Sequence, residues 1–152
     1  ERLNIFSPIH ESHILSAFKM FKEKPFFGHG VNTYRKYCAE PKYNINLHTC
    51  STHPHNTYIQ ILSEIGLVGI LPLIFINIFI IVLLIKNSLS EFIYKKSILT
   101  NYQILLLIGI LLTVWPLFPT QNVFNNWINT IYYLPVGLYL HTIYGSKKDV
   151  ES

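Results

Sequence analysis

Three histidines stand close together in the stretch His48-Thr49-Cys50-Ser51-Thr52-His53-Pro54-His55-Asn56. An imidazole takes up a proton near neutral pH, and a neighbouring carboxamide can hold it in one tautomer. His53 and His55 are therefore candidate proton acceptors, with Asn56 beside them. Asn56 has a second reading as the N-cap of the helix that follows, because Asn is a preferred cap. The two histidines alternate along an extended segment, which sends them to opposite sides. A metal is the rival chemistry. His48, Cys50, His53 and His55 are zinc-ligand types, but the spacing H-x-C-x2-H-x-H matches neither a zinc finger nor H-E-x-x-H.

Phosphate chemistry points to the arginines. Arg2 and Arg35 are the only two in the chain, against ten lysines, and both lie in the same polar region as the histidines. A guanidinium forms bidentate, charge-assisted bonds to phosphate that an ammonium does not reproduce. A solvated surface arginine is the plainer alternative for each. Glu64 sits where the polar region turns apolar, and a carboxylate at such a place needs a partner. It pairs with an arginine, orients a histidine or favours the helix start electrostatically. Gly66 and Gly69 lie three apart and read as packing positions. Gly28-His29-Gly30 continues into no phosphate-loop or dinucleotide fingerprint, and no G-x-S-x-G is present.

The elements that must hold these groups follow from hydropathy. The chain is 50% hydrophobic and only 13% charged, whereas soluble domains carry about 25% charged residues. This is membrane-protein composition. In the polar part, 1–64, Ser7-Pro8 reads as a cap and first helical residue. Ile14, Ala17, Phe18 and Phe21 then follow at helical spacing, and Pro25 ends the run. The stretch from His48 reads as passing without a break into the apolar helix 65–85, whose length suits a hydrocarbon core of about 30 Å. A lysine-bearing link, 86–97, leads to a second span at 98–118, a far-side turn at 119–126 and a third span at 127–144. A polar tail, 145–152, closes the chain. The lysines at 86, 95, 96, 147 and 148 fall on one side, which the positive-inside rule makes cytoplasmic. The histidines and the 119–126 turn then share the outer side. The expected class is all-α: a polytopic transmembrane protein with a large extracytoplasmic helical loop followed by three C-terminal spans.

The net charge of +4 suits anionic lipid or phosphate. Nucleic acid is not an expected partner, since no zinc-finger spacing, RNP pattern or basic helix is present. The first residues read as the middle of a domain, so further N-terminal spans are expected to precede them. Cys38 and Cys50 share the polar region; an oxidising compartment would permit one disulfide there.

Three segments together resemble the O-antigen ligase and O-antigen polymerase superfamily of bacterial membrane glycosyltransferases. Arg2-Leu3-Asn4-Ile5-Phe6 resembles its R-x-x-x-(W/F) opening of a large periplasmic loop. Pro25-Phe26-Phe27-Gly28-His29-Gly30-Val31-Asn32-Thr33-Tyr34 resembles its P-x-x-G-x-G-x-x-x-(F/Y) segment. The stretch from His53 through Gly69 resembles its H-x-H-N-x-(Y/F)-L-Q-x-x-x-E-x-G-x-x-G signature. The resemblance implies a protein of the bacterial inner membrane whose active region faces the periplasm. It implies transfer of a glycan from an undecaprenyl-pyrophosphate donor to a hydroxyl acceptor, lipid A-core for a ligase. A polymerase or a protein O-oligosaccharyltransferase of the same superfamily is the alternative, and a non-enzymatic metal-binding membrane protein is the rival class. His55 would be the general base of an inverting, metal-independent transfer. His53, Asn56 and Glu64 would support it, and Arg2 and Arg35 would bind the pyrophosphate. No cofactor is implied.

Overall fold

The computed structural model describes residues 7–148. The described residues are all helix, turn and loop, with no strand. Six helices follow in order: α1 (Pro8–Glu23), α2 (Tyr34–Tyr37), α3 (Thr57–Glu64), α4 (Leu67–Tyr94), α5 (Asn101–Thr113) and α6 (Asn126–Lys148). They divide into two compact units. One holds the chain up to Leu73 together with Pro116–Asn125; the other holds Ile74–Trp115 and the chain from Asn126 onward.

In the first unit α1 begins as its sequence dictates. Ser7 accepts from the backbone N–H of His10 at 3.4 Å, and Pro8 stands in the first turn, where its missing N–H costs nothing. Its inward face is smaller and more polar than the apolar spacing suggested. Ser12, His13, Ser16, Ala17 and Met20 are buried, while Leu15 and Phe18 stay exposed. Ala17 and Met20 join Tyr34, Cys38 and Tyr43 in one apolar core. Cys38 and Cys50 form a disulfide with Cα atoms 5.3 Å apart, tying the histidine loop to the end of α2.

The passage from the histidine loop into the apolar helix is broken, not continuous. α3 ends at Glu64, Gly66 takes a φ of +74°, and α4 starts afresh at Leu67. The reason is a close backbone crossing. Leu67 N donates to Pro25 O at 2.8 Å and Gly30 N to Glu64 O at 2.8 Å. A Cβ on Gly66 would lie 2.5 Å from Phe26 O, and one on Gly28 would lie 2.5 Å from Glu64 O. The two glycines face each other's segments, so Gly66 serves this crossing and not the approach of another helix.

In the second unit, α4 continues to Tyr94, beyond the expected end of the first span. Among the described residues it is the one helix long and apolar enough to cross a membrane. Pro72 lies inside it, which spanning helices tolerate. α5 has 13 residues, about 20 Å of helix, where the sequence suggested 98–118. It opens on a capping box between Thr100 and Gln103. The buried Oδ1 of Asn87 organises the link before it, accepting from Ile98 N and Leu99 N at 2.8 Å each and from Ser97 Oγ at 3.1 Å. Ile80, Leu99 and Leu107 form the core of this unit. Residues 127–144, expected as the third span, lie within α6, which is not among the described helices long and apolar enough to cross a membrane.

Candidate functional site

All the candidate chemistry described lies in the first unit. Asn56 caps α3: its Oδ1 accepts from Ile59 N at 3.1 Å, while its Nδ2 donates to Pro116 O at 2.7 Å. Gln60 and Glu64 follow at steps of four, so the three side chains share one helix face. The Nε2 of Gln60 donates to Asn122 Oδ1 at 2.7 Å, and its Oε1 accepts from Val123 N at 3.2 Å. Glu64, only 1% exposed, accepts from Tyr34 N at 2.8 Å and Asn32 N at 3.0 Å. Burial pushes its carboxyl above the ordinary value, and the backbone N–H groups of Tyr34 and Asn32 pull the other way. Glu64 thus caps α2 with its carboxylate; among the described residues no arginine bonds it and no histidine is oriented by it.

The loop from Pro116 to Asn125, expected as little more than a turn between spans, is woven into this face. Thr120 N donates to His55 O at 2.9 Å, and Thr57 Oγ1 donates to Thr120 Oγ1 at 2.9 Å. The ring of His53 is buried and donates from Nε2 to Thr120 O at 3.2 Å. Because that carbonyl only accepts, the proton of neutral His53 is on Nε2, and Nδ1 is left to accept from Thr52 Oγ1 at 2.9 Å. Both His53 nitrogens are therefore occupied.

His55 is held differently. Its backbone is left-handed, with φ +56°, a conformation uncommon outside glycine. That residue breaks the alternation of an extended segment. His53 and His55 do not point to opposite sides; their ring centroids are 4.1 Å apart. Two histidines of α1, one turn apart, complete the group. His13 stacks on His55 at 5.4 Å, and His10 lies 5.5 Å from it. The Nε2 of His55 is 3.1 Å from Ser51 Oγ. His55 is partly open to solvent, whereas His13 and His53 are 4% exposed. Burial lowers the pKa of His55, and positive charge on His10 would lower it further. His13 and His53 are lowered too, first by burial and then by His55. Burial first, and then the neighbouring imidazoles, disfavour the cations of His13, His53 and His55.

The remaining candidates do not join this ring cluster, although the backbone of His48 interacts with His13. Arg35 is exposed on α2. Arg2 lies outside the described residues, as does the Arg2–Phe6 segment of the resemblance. His48 is exposed, and its N–H donates to Asn46 Oδ1 at 2.8 Å. The disulfide takes the Cys50 sulfur from the proposed zinc set, and among the described residues no group of three or more His, Cys, Asp or Glu could hold a metal. His29 has a structural place: its Nε2 donates to Met20 O at 2.9 Å, and its ring lies 5.0 Å from Tyr37. Sequence reasoning missed His10 and His13. Their spacing of three on a capped helix was the available signal, and it was passed over for the apolar positions beside it. Ser51 and Thr120 carried no such signal.

The site therefore sits in an all-helical domain leading into a membrane-type helix. Residues 12–74 match the family model for O-antigen ligase. No curated protein and no solved structure matches the chain.

Proposed function

We propose that the protein is an O-antigen-ligase-like glycosyltransferase of the bacterial inner membrane, acting at the periplasmic face. The observation that carries this reading is the half-open, neutral His55 among three other imidazoles, inside the segment that matches the family. In the proposed reaction His55 takes the proton of the acceptor hydroxyl. With its Nε2–H donating to Ser51 Oγ, the lone pair on Nδ1 is the base. The acceptor oxygen attacks the anomeric carbon from the face opposite the pyrophosphate, the C–O bond to the donor breaks, and the configuration inverts. The pyrophosphate leaves with the bond electrons, and Arg2 and Arg35 neutralise it. His53 and Asn56 act as positioning residues: both are tied to the 116–125 loop and fix the backbone on either side of His55. Glu64 supports the site one step removed, through α2. The donor is an undecaprenyl-pyrophosphate-linked glycan and the acceptor lipid A-core. No metal enters the reaction.

The test uses the full-length protein in nanodiscs with an undecaprenyl-pyrophosphate-linked glycan, offered lipid A-core or a second repeat unit, with and without EDTA. Transfer to lipid A-core with an inverted anomeric centre, unchanged by EDTA, is the expected result. Transfer only to the repeat unit would make the protein a polymerase, and transfer abolished by EDTA would overturn the metal-free reaction.

A further inference from the structure

The turn after α1 carries apolar surface that the core does not use. Phe26 is 64% exposed and Phe27 76%. Their backbone is not free to withdraw. Pro25 O and Phe26 O accept from Leu67 N and Val68 N, at 2.8 and 3.2 Å, and Gly66 has room for nothing but this crossing. The two phenylalanines are thereby fixed beside the first turn of the helix apolar enough to span a bilayer. Val68 and Leu71 on that turn are exposed as well, at 53% and 58%. The apolar surface thus passes from helix to turn.

Basic groups frame it. Lys24 lines the same recess as Phe26 and Phe27. Lys22 lies over the exposed ring of Phe18, 5.0 Å from its centroid. The one acid of the last turn of α1, Glu23, is engaged elsewhere, by Lys42 at 3.0 Å and by Tyr43 Oη at 2.6 Å. Aromatic rings with lysines at a helix entrance suit the interface of a bilayer, where rings sit at headgroup level and ammonium groups meet lipid phosphate. A soluble surface has no use for two such rings side by side.

We infer that residues 22–28 form a bilayer contact, with Phe26 and Phe27 inserted below the headgroups of an anionic leaflet and Lys22 and Lys24 at its phosphates. The contact rests on α4 being a membrane span and is independent of the transfer chemistry. It fixes the depth of the crossing between Gly28 and Gly66, and through α3 the register of the histidine cluster against the membrane.

The experiment places a nitroxide at Phe27→Cys in the 152-residue chain, in nanodiscs of phosphatidylcholine with phosphatidylglycerol. Both native cysteines are in the disulfide, so the new thiol alone is labelled. Leu47→Cys, on a residue 98% exposed, is the aqueous reference, and Phe79→Cys reports whether α4 crosses. Collision accessibility at position 27 is expected to favour oxygen over a water-soluble nickel chelate several-fold more than at 47. In the charge arm, Lys22→Glu with Lys24→Glu is expected to move position 27 toward water when phosphatidylglycerol is present. Nickel accessibility at 27 equal to that at 47, with 79 in lipid, would overturn the contact. So would shielding that arises only on adding undecaprenyl pyrophosphate, which would make the occupant the donor. A water-accessible label at 79 would remove the span and the contact with it.

Discussion

The two units of the chain are specified in different ways. The first is held by directed bonds: a cap on α2 from Glu64, a loop sewn on by Asn56, Gln60 and Thr57, a disulfide, and a glycine-on-backbone crossing. The second is held by Ile80, Leu99 and Leu107 and by one buried asparagine, with most of its large apolar side chains left outward. A polar loop domain that must fix an imidazole in a strained backbone needs positional bonds, because apolar burial does not choose between nearby registers. In the second unit the directed contacts described are fewer: Asn87 in the link and Gln103, whose Nε2 donates to Thr142 Oγ1 at 3.0 Å between α5 and α6.

Glycine substitution should separate the units most sharply. Gly66→Ala places a Cβ 2.5 Å from Phe26 O at φ +74°, and a loss of about 3 kcal/mol or more is expected. Gly109→Ala meets nothing within 4 Å and should change stability by less than about 1 kcal/mol, toward greater stability. Thermal unfolding in detergent reads both; equal effects would erase the distinction. The disulfide comes next. Cys38→Ser with Cys50→Ser opens a loop of sequence separation 12, and the first unit should lose about 2–4 kcal/mol while the second is unaffected. Faster proteolysis within 39–50, with 95–100 unchanged, would show this.

Asn87→Ala is the counterpart in the second unit. It removes the acceptor of two backbone N–H groups and a hydroxyl, and should cost about 1–3 kcal/mol there. Hydrogen exchange at Ile98 and Leu99 is the readout, with the first unit unchanged. The smallest effect is that of pH. His13, His53 and His55 all have pKa values lowered from 6.5. An unfolded chain binds these protons first, so the stabilisation is complete above 6.5 and is lost as pH falls toward the lowered values. The melting temperature of the first unit should therefore drop as pH falls below about 6.5, and less so in His13→Asn. A flat profile would contradict the lowered pKa values of these three histidines.

Much of this was legible because periodicity and glycine chemistry are local. Ser7-Pro8 announced α1, and Asn56 was legible as an N-cap, although of a helix expected to run unbroken into the apolar span. What remained hidden was set by long-range contacts. Nothing near His55 in sequence says that its φ is positive; Thr120, sixty-five residues on, holds its carbonyl. The inward turn of Ser12 and His13 in place of Phe18 depends on what α1 packs against, and the break at Gly66 depends on the Pro25–Phe26 backbone crossing there. The 116–125 loop read as a turn because its partners, Asn56, Thr57 and Gln60, lie some sixty residues earlier.

The central claim is that His55 is the base. The most direct measurement is glycan transfer to lipid A-core in a bacterial strain lacking its own ligase, complemented by the full-length protein or by its His55→Ala variant at matched membrane levels. Transfer by the parent and none by the inserted variant is the predicted result. Transfer by the variant at the parent's rate would contradict the assignment and leave the imidazole cluster without its proposed chemistry.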